Sequence, residues 1–172
     1  MRVLFFVSVS LLALSAISPS LAQETKGFRL IGVPAREHGY NNFDSRVINS
    51  QKQLDEFLMQ IEKQPGWNER AAFVKAMRSG KIEFAKESLL LVRQTEGSGS
   101  NRVTFAKPEW REDTLVCKIN REVPRVGTAD LAYYCFAVAV HRSKAKQAEV
   151  WVQVKGASPP SKAREVMQIA IR

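Results

Sequence analysis

Residues 88–95 have the sequence SLLLVRQT, and the apolar residues at its centre, from Leu89 to Val92, follow one another without a polar break. A strand with one solvated face alternates apolar and polar residues, whereas a strand covered on both faces carries a continuous apolar run. We therefore predict a strand that is buried on both faces. The helical spacing of apolar residues ends before this strand, and strand-like patterns follow it.

The segment before this strand begins with a helix signal. Ser50 and Gln53 have the spacing of a capping box, in which each side chain bonds to a free backbone N–H at the start of a helix. The apolar residues that follow recur at helical spacing: Leu54, Phe57, Leu58 and Ile61. Pro65 and Gly66 cannot continue the pattern, so we predict that the helix ends at Gln64.

A second, shorter helix is predicted between Asn68, as the N-cap, and Gly80, as a left-handed C-cap. Its apolar positions again follow helical spacing: Ala72, Phe73, Ala76 and Met77. A short strand-like run at residues 28–33 and a polar loop at residues 35–44 precede both helices. His38 lies in this loop, where a solvated histidine is the simplest interpretation.

Polar turns divide the rest of the chain into strand-like segments: residues 102–107, 114–121, 131–141 and 149–155. After Pro159 and Pro160, four apolar residues share a helical face and predict a short C-terminal helix: Ala163, Val166, Met167 and Ala170. Helices and strands do not alternate. We therefore predict an α+β fold, with two N-terminal helices packed on one face of an antiparallel meander sheet of four to five strands.

The N-terminus has the pattern of a secretory signal. Arg2 precedes an apolar run at residues 3–17, and small residues at Ser20 and Ala22 suit a signal peptidase. We predict a signal peptide at residues 1–22 and a periplasmic or secreted protein, with no membrane span after cleavage. A membrane anchor is the alternative, but the run is shorter than the roughly 20 residues that a spanning helix needs.

Length and composition are those of one globular domain. About 150 of the 172 residues remain after the signal. We expect an N-terminal strand and polar loop at residues 23–46, an α+β domain at residues 47–156, and a C-terminal segment at residues 157–172. A hydrophobic content of 45% and a charged content of 25% exclude a disordered or collagen-like chain.

The two cysteines, Cys117 and Cys135, suggest a disulfide in an oxidising compartment. If residues 114–121 and 131–141 form a hairpin around Arg125 to Gly127, the two cysteines lie opposite one another, at a distance that a disulfide can bridge. Two buried free thiols are the alternative. A redox-active pair is less consistent with the sequence, because the spacing is not Cys-x-x-Cys.

The formal net charge of +9 indicates that the chain can meet anionic partners. Arg142, Lys144 and Lys146 form a cluster and are candidate contact residues, although a solvated basic face is the alternative. Trp110, next to Pro108 and Glu109, is a fourth candidate contact, for which ordinary packing is the alternative.

No catalytic or metal-binding motif is recognisable. Two cysteines and two histidines exclude a zinc site of four cysteines, and we expect neither a metal nor a cofactor. Motifs of serine hydrolases, zinc proteases and nucleotide-binding loops are missing. Residues 97–100, Gly-Ser-Gly-Ser, lack the lysine and the helix start of a phosphate loop, so a flexible hairpin turn is the better interpretation.

The order of the segments resembles the PrcB C-terminal-like family. The resemblance rests on Val47-Ile48-Asn49-Ser50 leading into a helix, on Ile82-Glu83-Phe84-Ala85-Lys86-Glu87-Ser88 before the leucine strand, and on the glycine-serine turn. It extends from about Val47 to Val154. The family is named after a subunit that stabilises a secreted protease complex, so the resemblance implies a non-catalytic domain that binds or supports another protein.

Two hypotheses about function follow. The first is an exported, non-catalytic domain that acts as a protein-binding or stabilising subunit, with a protein partner in the cell envelope or the extracellular space. The alternative is a binder of an anionic envelope polymer or nucleic acid, which would use the basic C-terminal third of the chain and lose affinity steeply with salt. An enzyme is the third option, and the sequence offers no residues for its chemistry.

Overall fold

The computed structural model describes residues 27–155 and 164–171, and strands dominate this part of the chain. The strands are β1 (Phe28–Ile31), β2 (Arg46–Ile48), β3 (Glu87–Glu96), β4 (Arg102–Phe105), β5 (Glu109–Arg111), β6 (Thr114–Glu122), β7 (Ala132–His141), β8 (Gln147–Lys155) and β9 (Arg164–Ala170). The helices are α1 (Gln51–Lys63) and α2 (Arg70–Ser79), and a short 3-10 helix spans His38–Asn42.

These strands form two sheets. The first sheet has the order β1-β7-β3-β2 and is antiparallel throughout. The second sheet has the order β4-β6-β8-β9, and β5 pairs with β6 beside β4. In the second sheet β6 and β8 run parallel, whereas the other pairs are antiparallel.

The molecule has three layers, because the first sheet lies between the helices and the second sheet. Alternate residues of β3 face opposite sides. Leu89 and Leu91 pack with the helices in a helix-side core, whereas Leu90 and Val92 pack with the second sheet in an inter-sheet core. All four side chains are fully buried. The prediction of a strand buried on both faces is therefore confirmed.

The predicted architecture is wrong. Two strands, β1 and β2, precede the helices, the chain is mostly β, and its strands form two sheets instead of one meander. The predicted C-terminal helix is also wrong where it is described, because Arg164–Ala170 is the strand β9. Met167, Ile169 and Ile171 alternate toward the inter-sheet core, a period of two that competes with the helical spacing.

The first helix begins and ends as predicted. Ser50 is the N-cap of α1 and its side chain accepts a hydrogen bond from the backbone N–H of Gln53 at 3.2 Å, while the Gln53 side chain accepts one from the N–H of Asn49 at 2.7 Å. These are the bonds of a capping box, except that the Gln53 side chain bonds to the N–H of Asn49 and not to that of the N-cap residue, Ser50. Gln64 is the C-cap.

The second helix is present, but its predicted caps are wrong. Glu69, and not Asn68, is the N-cap of α2, and no side chain caps this end. Gly80 has ordinary right-handed dihedral angles, and the left-handed residue is Lys81, with φ of 44°. A side chain at this φ is strained, so the turn after α2 carries a conformational cost that a glycine would avoid.

Both sheets share two ends, which we call apical and basal. At the apical end the chain crosses between the sheets twice, through residues 97–101 and through residues 123–131. At the basal end, residues 142–146 connect β7 to β8. The turn at residues 97–100 therefore joins two sheets and is not the hairpin turn that the sequence predicts. The predicted signal peptide lies outside the described residues.

Candidate binding surface

The predicted disulfide is not formed, and both cysteines are free and buried. Cys117 on β6 faces the inter-sheet core, whereas Cys135 on β7 faces the helix-side core, on the opposite face of the first sheet. The hairpin that would join them does not exist, because β7 pairs with β1 and β3, and β6 pairs with β4, β5 and β8. Burial raises the pKa of Cys117 to about 12 and raises that of Cys135 further, so both thiols stay protonated.

Arg142, the first predicted contact residue, is half-buried and forms hydrogen bonds within the fold. Its Nε donates hydrogen bonds to the carbonyl oxygen of Glu87 and to the hydroxyl oxygen of Ser88, both at 3.0 Å. Its Nη2 donates to the carbonyl oxygen of Asn49. The half-buried guanidinium therefore ties the end of β7 to β3 and to the start of α1, and it is not presented to a partner.

The two lysines of the predicted cluster differ from each other. The Nζ atom of Lys146 forms an ion pair with Asp113 at 2.5 Å, and its backbone N–H donates to the carbonyl oxygen of Asp113. Lys144 is exposed at the basal end. Since one cation of the three is internal and another is paired, the structure does not bring these residues together as a basic surface.

Trp110 is a packing residue. Its ring centroid lies 6.3 Å from that of Phe28, and the half-buried indole packs against the inter-sheet core. His38 is exposed, as the sequence predicts for a solvated loop histidine, and its ring meets Tyr133 edge to face at 5.6 Å.

The apical end carries exposed apolar residues that are not among the contact residues predicted from the sequence. Among the described residues, the large apolar side chains that are exposed are Leu30, Met59, Val123, Val126 and Leu131. Three of these five lie on the single connection of residues 123–131, and Val126 at its tip is 86% exposed. Every residue of this connection is exposed. Exposed apolar residues concentrated on one loop are typical of interaction sites.

Hydrogen bonds hold this connection against the turn at residues 97–101. The Ser100 hydroxyl accepts the backbone N–H of Thr128 at 3.1 Å, and the two hydroxyl oxygens of these residues also lie 3.1 Å apart. The carboxylate of Asp130 accepts the backbone N–H of Gly99 at 3.1 Å. The apolar tip is therefore displayed on a connection that is anchored just after the tip, at Thr128 and Asp130.

Asp130 is the main anchor. A hydrogen bond from the Thr128 side chain and the N–H of Gly99 stabilise its carboxylate and lower its pKa. Arg36 also lies near, with its Nη2 3.6 Å from Asp130 and its Nη1 donating to the carbonyl oxygen of Gly99 at 3.0 Å. The two apical crossings and the segment after β1 are thus linked by one polar network.

Cations lie beside the start of the connection of residues 123–131. Arg102, Glu122 and Lys155 are in register on β4, β6 and β8, so they form a row at the apical edge of the second sheet. They line a cavity of about 480 Å³, together with Val123 and Pro124. Within the described part of the chain, neither Arg102 nor Lys155 forms an ion pair.

A buried ion pair supports this row from inside the molecule. Glu96, which is 1% exposed, accepts hydrogen bonds from Nε of Arg121 at 2.5 Å and from Nδ2 of Asn101 at 2.7 Å. Tyr134 donates to the carbonyl oxygen of Asn101 at 2.9 Å. Glu96 belongs to the first sheet and Arg121 to the second, so the pair fixes one sheet against the other directly below the apical loops.

We define the apical surface as Val123, Pro124, Arg125, Val126 and Leu131 together with the flanking cations Arg102 and Lys155. It offers apolar contact area with a cationic rim on a supported loop, which suits binding of another macromolecule.

The described residues contain no group of histidine, cysteine and acidic side chains that could hold a metal ion. No helix in residues 27–155 or 164–171 is long and apolar enough to cross a membrane.

The sequence contained a partial signal for this surface. Residues 123–131 lie between two strongly apolar strands and hold two valines and a leucine among turn-forming residues, but the predicted hairpin assigned them to an ordinary turn. The proximity of Arg102 and Lys155 follows from strand register, which no local pattern indicates.

No protein-family model, curated protein or solved structure matches this chain.

Proposed function

We propose that this protein is a non-catalytic binding domain that docks another protein through the apical surface. The observation that carries the proposal is the concentration of exposed apolar side chains on residues 123–131. Val123, Val126 and Leu131 are between 46% and 86% exposed. Apolar residues on a supported loop gain free energy when a partner removes them from water.

The chemistry of the apical surface specifies its partner. Arg102 and Lys155 lie beside Val123, with Glu122 between them in the sheet, and Arg125 precedes Val126. None of the three cations forms an ion pair with a described acidic side chain. A complementary partner presents apolar side chains surrounded by aspartate and glutamate, because like charges at the rim would repel it. A protein-binding role is also what the resemblance to the PrcB C-terminal-like family implies.

Binding of an anionic polymer is less well supported. That hypothesis relied on Arg142, Lys144 and Lys146, but Arg142 is bonded internally and Lys146 is paired with Asp113. The protein nevertheless keeps a formal net charge of +9, so weak association with polyanions at low salt is expected. Such binding falls steeply as salt rises, whereas apolar docking does not.

The experiment compares two sets of serine substitutions at equally apolar positions. The apical variant is V123S/V126S/L131S, and the control variant is L30S/M59S, whose residues are 54% and 53% exposed elsewhere on the molecule. Both variants and the unchanged protein are immobilised, and proteins retained from extracts of the source organism at moderate salt are quantified by mass spectrometry. Each partner is then purified and its affinity is measured by calorimetry.

The proposal predicts a partner that the unchanged protein and the control variant bind equally, and that the apical variant binds at least tenfold more weakly, a loss of about 1.4 kcal/mol. The substitutions R102E/K155E should slow association mainly at low salt. A partner whose affinity is unchanged by all of the apical substitutions contradicts the proposal. Retention of nucleic acid or polysaccharide alone, removed by salt, supports the polymer hypothesis instead.

A further inference from the structure

A second concave surface lies on the helix layer and shares no residue with the apical surface. The groove runs along α2 beside the end of α1 and has a volume of about 1000 Å³. Trp67, Ala71 and Val74 form its apolar floor and wall. The volume is at the upper end of the range of small-molecule sites in proteins.

The Trp67 wall is fixed in position. Its indole packs against Tyr40 and Phe73, with both ring centroids at 5.2 Å, and lies directly on the backbone of Gly39. A Cβ atom at position 39 would lie only 2.1 Å from this ring, so glycine is required there. A wall that is held by the helix-side core is available to a ligand without rearrangement, which lowers the entropic cost of binding.

The charges around the groove are unbalanced. Three cations line it, Arg70, Lys75 and Arg78, against a single acidic residue, Glu62. Glu62 is already engaged, because its carboxylate pairs with Arg78 at 3.0 Å. Arg70 donates to carbonyl oxygens at the end of α1, and Lys75 forms no ion pair with a described residue. The groove therefore favours an anion.

We propose that the groove binds a small carboxylate with an apolar chain, such as the anion of a medium-chain fatty acid. The chain lies on Trp67, Ala71 and Val74, and the carboxylate lies at the rim near Lys75. The size of the groove favours a small molecule over a protein. The groove runs along a helix of ten residues, about 15 Å long, whereas a protein interface uses roughly 20–30 residues on each side.

The test uses decanoate as the probe and the indole N–H signals in a ¹H–¹⁵N spectrum as the readout. The chain has three tryptophans, and the Trp67 signal is assigned by its loss in W67F. Trp151 is an internal reference, because its Nε1 already donates to Glu149 at 3.0 Å. Decanol, which lacks the charge, and acetate, which lacks the chain, are the matched control ligands.

Two substitutions at exposed positions separate the contribution of the apolar chain from that of the carboxylate. A71F fills the groove and K75E reverses the charge at its rim, while A72F and K52E place the same changes on helix positions outside the groove. The proposal predicts that decanoate shifts the Trp67 signal saturably below its micelle concentration. A71F should abolish the shift, K75E should weaken binding about fivefold or more, and both controls should bind normally.

Three results would overturn the proposal. These are no shift at Trp67, an equal affinity for decanol, or binding that A71F leaves intact while its spectrum shows a folded protein. If A71F does not fold, the comparison of K75E with K52E still decides whether the carboxylate is recognised in the groove. None of these results bears on the apical surface, since the two sites have no residue in common.

Discussion

Cations at the basal end and at the apical end of the two sheets have different surroundings. At the basal end Arg142 donates hydrogen bonds to β3 and to the start of α1, and Lys146 is paired with Asp113. At the apical end Arg102 and Lys155 line an open cavity and form no ion pair with described residues. Arg142 and Lys146 at the basal end hold the fold together, whereas Arg102 and Lys155 at the apical end remain available to a partner.

This difference shows that the density of charges along a sequence does not identify a binding surface. Arg142, Lys144 and Lys146 are close in the chain, but the crossing from β7 to β8 directs them to different surroundings. Arg102 and Lys155 are 53 positions apart and meet only because β4 and β8 flank β6 in register. A surface built by sheet register has no local signature in the sequence.

The largest effect on stability is expected from substitution of Glu96, the buried carboxylate at the apical end. Glu96→Ala leaves the Arg121 guanidinium and the Asn101 amide without their buried acceptor, so the free energy of unfolding should fall by about 3 kcal/mol. Urea denaturation measures the change. The control is Glu122→Ala, an exposed carboxylate of the apical row, which should change stability by less than about 0.5 kcal/mol. Equal effects would mean that Glu96 does not fix the sheets.

A somewhat smaller loss of stability is expected from substitution of Arg142 at the basal end. Arg142→Ala removes hydrogen bonds to Ser88 and to two carbonyl oxygens, at an expected cost of about 2 kcal/mol. Arg142→Lys should recover little of this loss, because one ammonium cannot span the same acceptors. Lys144→Ala is the matched control and should leave the denaturation midpoint unchanged. If Arg142→Ala is as stable as that control, Arg142 is a surface residue and the comparison between the ends fails.

A modest gain is expected from relieving strain after α2. Lys81 has a positive φ of 44°, so Lys81→Gly should raise the free energy of unfolding by about 0.5–1 kcal/mol. Thermal denaturation checks this change. Lys81→Ala removes the same side chain without relieving the backbone, and it should give no gain. A gain of equal size in both variants would show that the side chain, and not the backbone, is responsible.

The smallest effect is local and depends on pH. The pKa of Asp130 is lowered in the folded protein, so its contribution to holding residues 123–131 is complete above the ordinary pKa of an aspartate, about 3.9, and is lost as pH falls through the lowered value. The Gly99 amide signal should therefore titrate with a midpoint below about 3.9. Asp130→Asn should remove this titration. A midpoint at or above the ordinary value would contradict the anchoring role.

Local features of the fold were predictable from the sequence. The capping residues Ser50 and Gln53 define the start of α1, and the apolar run from Leu89 to Val92 indicates the two covered faces of β3. These features depend on neighbours in the chain. The period of apolar residues was misleading only at β9, where Met167 and Ile169 fit a strand as well as a helix.

The pairing of strands was not predictable from local patterns. A hairpin between β6 and β7 is the shortest connection, but the apolar residues on both faces of β7 require cover from two layers, which places it between β1 and β3. The disulfide depended on this hairpin and is absent for the same reason. The apical surface depends on the crossing that replaces the hairpin, so the error in topology also hid the candidate site.

The most direct test of the apical surface is site-specific photo-crosslinking in the source organism. A benzophenone amino acid replaces Val126 in one variant and Met59, which is 53% exposed on α1, in the control. The account predicts a discrete protein adduct from position 126 that forms at moderate salt and is not formed from position 59. Identical adducts from both positions, or none from position 126, would contradict the assignment of the apical surface as the docking site.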